Sequence, residues 1–224
     1  MRLDTKLEST NKWTYIVGLT VILISEFMFR DLLLPSPAKD IHIRIALGVE
    51  WLIFLTLLFY WIPKVERNNI ESIGFRKFRW RYLWLGVVVY LGVLIASIGS
   101  GFALESIGLE PIRSLQSMIN QYSPLTLVGL FLTGTVVEEV FYRGYLIERI
   151  KFLTGKYWLA GIVSWLVFTL VHIKFFGLGP TLDVSVLSAA LVMIYLKEKS
   201  IWPCIVIHGL NGLFVYLIFP LLVP

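Results

Sequence analysis

The chain has 224 residues, of which 57% are hydrophobic and only 16% charged, with a mean hydropathy of +0.78 and a formal net charge of +5. A soluble domain carries about 25% charged residues, so the composition excludes a soluble enzyme and reads as a polytopic membrane protein. Lysines and arginines held at a cytoplasmic face account for the positive balance without nucleic acid, and the one cysteine, Cys204, excludes an intramolecular disulfide or a cysteine metal cluster.

Residues 1–12 are polar, and the apolar run behind them is too long for the core of a cleavable leader. A first span is expected from Trp13 to Leu34. It carries Glu26 and Arg30, four residues apart, which read as a self-satisfying pair near the helix end. Pro35-Ser36-Pro37 stops it. His42 follows in a loop. A second span runs from Ile45 to Ile62 and contains Glu50, read as snorkelling or as facing a cavity. Pro63 to Arg81 is a polar connection in which Arg and Lys alternate with Phe and Trp, a pattern suited to anionic lipid. No nucleic-acid fold accompanies it. A third span runs from Tyr82 to Leu104. Glu105 to Ser123 is a polar loop with a short amphipathic helix around Ile112 to Ile119. A fourth span runs from Pro124 to Ile150 and a fifth from Tyr157 to Phe176. Gly177 to Pro180 reads as a tight turn before a sixth span, Thr181 to Leu196, with Asp183 near its start. The seventh is Ile201 to Leu222.

The expected fold is therefore all-α: a polytopic membrane helical bundle of about seven transmembrane helices in a single domain, 1–224. Residues 1–123 supply amino-terminal spans and loops, and 124–219 form the core. The positive-inside rule orients it. With the amino terminus inside, inner segments hold Arg2, Lys6, Lys12, Lys64, Arg67, Arg76, Lys77, Arg79, Arg81, Arg149, Lys151, Lys156, Lys197 and Lys199. Outer loops hold only Lys39, Arg44, Arg113 and Lys174. The expected location is the cell membrane, multi-pass, with a cytoplasmic amino terminus.

The fourth span breaks the apolar pattern. Thr126 to Val137 has no charge, and then comes Glu138-Glu139-Val140-Phe141-Tyr142-Arg143. Ionisable groups at membrane depth cost about 2.5–3.5 kcal/mol each on insertion scales, so they read as functional by default. Glu139 and Arg143 can neutralise one another across one turn, whereas Glu138 points about 100° away. A structural ion cluster or a transport carboxylate would look the same at this point.

Two of the three histidines, His172 and His208, also lie inside spans, and Asn211 lies one turn beyond His208. At about 1.5 Å per residue from the inner helix ends, Glu138 is roughly 18 Å deep, His172 roughly 22 Å and His208 roughly 11 Å. These depths share one middle layer. A carboxylate there can take a proton from water, and a histidine can help orient that water. A second histidine and an amide can donate to a developing oxyanion. Glu138, His172 and His208 could alternatively hold zinc as a His₂Glu set with an open position, although the sequence has no H-E-x-x-H.

Glu138-Glu139-x-x-x-Arg143, Phe168-x-x-x-His172 and His208 with a nearby Asn, in that order, resemble the CPBP family. These are the CAAX proteases and bacteriocin-processing proteins, also called Abi, and they include the Ras-converting CAAX endopeptidase. The resemblance covers about 125–219. It implies that Glu138 is the base that activates water and that His172 assists. It makes Glu139 and Arg143 a supporting pair and His208 an oxyanion donor, while Phe168 packs the site. The third motif of the CAAX endopeptidase is similar to His-x-x-x-Asn. Here the fourth position after His208 is Gly212 and the amide is Asn211, a shift of about 100° around a helix.

The expectation is an intramembrane endopeptidase acting on a peptide or membrane-protein substrate in the lipid bilayer, for example in bacteriocin maturation or immunity. It needs no cofactor and no nucleic acid, and zinc is left open. The alternatives are a non-catalytic immunity or regulatory binding partner and a proton-coupled transporter. No inverted repeat supports the transporter. The oligomeric state is not legible in the sequence.

Overall fold

The computed structural model describes residues 11–29, 39–108 and 119–218. Among the described residues all regular structure is helical and forms seven helices. Helix α1 is Lys12–Ile24, widening into a π-turn segment at Ser25–Phe29. Helix α2 is Asp40–Thr56, widening to Val65. A 3₁₀ turn follows at Ile70–Ile73. Helix α3 is Arg81–Ser106. Helix α4 spans Pro124–Leu132, the wide-turn stretch Thr133–Leu146 and Ile147–Thr154. Helix α5 is Tyr157–Phe176, α6 is Leu178–Glu198, and α7 is Trp202–Gly212, widening over Leu213–Ile218.

Four of these, α2, α3, α4 and α6, are long and apolar enough to cross a membrane, while Tyr157–Ile173 and Trp202–Ile218 are apolar but shorter. Helix α4 is the axis of the bundle. More than half of its apolar window is buried (56%), against 17% for α3. Exposed Trp84, Val88, Ile95 and Phe102 on α3 face outward, where lipid replaces the protein interior as the apolar solvent. Two caps show why helices begin where they do. Ser123 accepts the Thr126 N–H and is followed by Pro124 in the first turn. Asn11 accepts the Trp13 N–H.

Several sequence expectations need correction. His42 belongs to the first turn of α2 and its Nδ1 accepts the Lys39 N–H at 3.1 Å. Pro63 does not end the second helix, which continues in a widened turn to Val65. A proline near a helix end removes one donor that the broadened turn does not need. Gly177–Pro180 is not a four-residue turn. Gly177 alone breaks the chain, at φ 73°, and Pro180 sits in the first turn of α6, where its missing N–H costs nothing. The Arg30 partner expected for Glu26, the Pro35–Pro37 break, the amphipathic segment before Ile119 and the end of the seventh span beyond Ile218 lie outside the described residues. Glu26 is itself buried and accepts the Tyr142 hydroxyl at 2.8 Å.

Candidate active site

The wide-turn stretch of α4 carries Glu138, Glu139 and Arg143, which are all buried. A widened turn recurs at functional sites because it re-aims side chains within one helix. Trp51 of α2 pins the start of this stretch, its Nε1–H donating to Thr133 Oγ1 at 2.9 Å. Glu139 Oε1 accepts from Arg143 Nη1 at 3.0 Å and pairs with His208 Nδ1 at 2.7 Å. Arg143 Nη2 donates to Ser188 Oγ of α6 at 3.0 Å, and its guanidinium lies 4.2 Å over the Phe168 ring. Glu139 thus joins α4 to α7, and Arg143 joins α4 to α6 and α5.

On the neighbouring side of α4, Glu138 Oε2 stands 4.0 Å from His172 Nε2. His172 Nδ1 is 2.7 Å from the Phe168 carbonyl. A carbonyl only accepts, so Nδ1 carries the proton, and in the neutral ring Nε2 presents a lone pair toward Glu138. By the same reasoning, the Glu139 carboxylate makes His208 Nδ1 a donor, so Nε2 also donates when the ring is cationic. Gly134 opens the space between these groups. A Cβ there would stand 3.5 Å from His208 Nε2 and 4.0 Å from Glu138 Oε2.

Glu138, His172, His208 and Asn211 all line one cavity of about 560 Å³, within the size range of ligand pockets. The expected convergence in one layer is therefore present. Glu139 and Arg143 stand behind the wall. Asn211 faces the cavity although it is three residues after His208. Helix α7 keeps its regular turn through Gly212 and widens only from Leu213, so no distortion lies between them. Gly212 meets α4 instead: a Cβ there would come within 3.1 Å of Phe131, and one at Gly209 within 3.2 Å of Thr135. The two helices approach closely here, and a side chain at position 212 would need the Phe131 ring to give way.

Sequence reasoning missed Ser188 and Gly134. A lone serine in an apolar helix carries no signal of its partner, and Gly134 is one of 17 glycines. Among the described residues no three His, Cys, Asp or Glu side chains converge closely enough to hold a metal ion. Each histidine engages its Nδ1 with the Phe168 carbonyl or with Glu139 and turns its Nε2 toward Glu138 or Gly134.

Comparison with known proteins gives one family match over this stretch. A family model described as type II CAAX prenyl endopeptidase Rce1-like matches residues 120–214. No curated protein and no solved structure matched. The matched stretch begins just before α4 and contains every polar group of the cavity floor together with both glycines of the α4–α7 contact. Residues 120–214 of this membrane helical bundle are thus similar to the Rce1-like type II CAAX prenyl endopeptidases.

Proposed function

We propose that the protein is an intramembrane endopeptidase of the cell membrane that hydrolyses a peptide or membrane-protein substrate with a glutamate-activated water. The observation that carries this reading is the Glu138–His172 pair. Its 4.0 Å separation is too long for a direct hydrogen bond and suits one water held between a carboxylate oxygen and an imidazole lone pair. Glu138 takes a proton from that water as the oxygen adds to the scissile carbonyl carbon. His208, oriented through Nδ1 by Glu139, turns Nε2 toward the developing oxyanion and donates to it when that nitrogen carries a proton. Collapse of the tetrahedral species breaks the C–N bond, and the proton held on Glu138 passes to the leaving nitrogen. The products are one carboxylic acid and one amine. Arg143, Ser188 and Phe168 fix Glu139, so they position His208 and do not touch substrate. Asn211 supplies an amide on the same wall.

Cleavage of a peptide panel by purified protein in liposomes tests the reading. The expected result is cleavage that survives a chelator and disappears in Glu138→Gln. Cleavage lost on chelation and restored by zinc would overturn the metal-free mechanism. An unchanged cellular phenotype in Glu138→Gln would favour a non-catalytic binding partner.

A further inference from the structure

The cavity has a direction. Its floor is formed at mid-helix by Glu138, Phe168, Leu187 and His208, and its walls rise only one way, to Ile43, Glu105, Tyr122, Phe176 and Pro180. Those residues lie near the start of α2, the end of α3, the start of α4, the end of α5 and the start of α6. The five termini share one end of the bundle, where Ser123 N–H donates to Asp40 at 3.0 Å. Among the described residues none from the other end lines the cavity, and the described residues of that end pack closely. Ile73, Tyr145, Ile147, Tyr195 and Ile201 are fully buried there, and Glu66 with Arg149 seals the layer.

The closed end is also the basic end. Arg76, Lys77, Arg79 and Arg81 are exposed there, and Trp202 Nε1–H donates to the Arg76 carbonyl at 2.6 Å. Lysine and arginine excess marks the cytoplasmic face of a multi-pass protein. The mouth of the cavity therefore points away from the cytoplasm.

We propose that the catalytic chamber is loaded from the extracytoplasmic face, and that its substrate is an apolar polypeptide segment presented on that side of the bilayer. This rests on the peptidase reading above. It separates the protein from processing of a prenylated carboxyl terminus anchored in the cytoplasmic leaflet, because such a tail would meet the sealed end of the bundle.

Thiol labelling tests the direction without any turnover. Ser97→Cys and Val215→Cys place single thiols on two different cavity walls, in a Cys204→Ala background, and Arg79→Cys marks the basic end. A charged, membrane-impermeant maleimide is applied to intact cells and to inverted vesicles. The expected result is labelling of both wall cysteines in intact cells with loss of that labelling in inverted vesicles, and the reverse for Arg79→Cys. Wall cysteines labelled only in inverted vesicles would overturn the proposal. So would wall cysteines silent in both preparations while Arg79→Cys labels, or wall cysteines and Arg79→Cys labelled from the same side. Outward labelling of a protein without proteolytic activity removes only the peptidase reading, and an active protein labelled from inside removes only this one.

Discussion

Helix α4 carries two buried carboxylate–arginine assemblies that share their chemistry and differ in how they are finished. At the closed end, Arg149 uses every nitrogen: Nε and Nη2 donate to Glu66 Oε2 at 3.0 and 2.5 Å, Nη1 to the Ser72 carbonyl at 3.2 Å, and Nη2 also to Ser72 Oγ at 3.0 Å. Tyr145 donates to the other Glu66 oxygen and receives the Trp61 N–H. At mid-helix, Glu139 Oε2 and Arg143 Nε have no hydrogen-bond partner among the described residues, and the adjacent Glu138 and His208 border a cavity. A satisfied buried cluster fixes a fold, whereas an incompletely satisfied one beside open space is a candidate for chemistry. Burial of an ion pair alone distinguishes nothing.

The comparison breaks most sharply at Glu66. Glu66→Ala strands Arg149 as a buried charge, at a cost of about 3–5 kcal/mol. The expected outcome is a large fall in the thermal midpoint in detergent and low accumulation. Glu138→Gln is expected to do the opposite. It keeps shape and packing, leaves the thermal midpoint close to wild type, and lowers the cleavage rate by about 10²–10⁴-fold, the range for loss of a general base. Gly134→Ala sharpens the contrast further. The added methyl meets only ordinary van der Waals contacts and favours the helix by about 0.5–1 kcal/mol. It narrows the gap between Glu138 and His208, so cleavage falls by up to about 10²-fold through misplacement alone, with no loss of stability.

The smallest effect belongs to Lys199, beyond the end of α6, whose ammonium lies 3.0 Å from the Tyr157 ring centre. Burial pulls it down to about 8, against an opposing pull from Glu148. The folded state therefore loses this proton at a lower pH than the unfolded chain does. Below pH 8 both states hold the proton and its cost is fully present. As pH rises from about 8 toward the ordinary lysine value, the unfolded state binds more protons and stability rises. The thermal midpoint of wild type should gain on that of Lys199→Gln across this window. A difference that stays flat would remove Lys199 as its source.

Much of the site was legible because it is written locally. Glu138, Glu139 and Arg143 occupy one turn and a half, and counting along the apolar helices put Glu138 near His172 and His208, with which it lines one cavity. Helix α5 runs from Tyr157 to Phe176 as expected, since nothing inside it competes with its apolar pattern. What stayed hidden depends on contacts across the chain. Glu66 reads as one charge in a polar connection until folding brings Arg149 to it. Ser188 acquires meaning only from Arg143. The displaced amide at Asn211 looked like a defect in a motif, yet Gly212 answers to Phe131 on the facing helix. Proline misled twice, at Pro63 and Pro180, because its effect depends on where in the helix it falls.

The most direct test crosses the two assemblies in one assay. Glu138→Gln and Glu66→Ala are purified in parallel, and cleavage is normalised to the folded fraction of each. The account predicts folded Glu138→Gln without cleavage, and a small folded fraction of Glu66→Ala that cleaves at the wild-type rate. Wild-type cleavage by Glu138→Gln would contradict it.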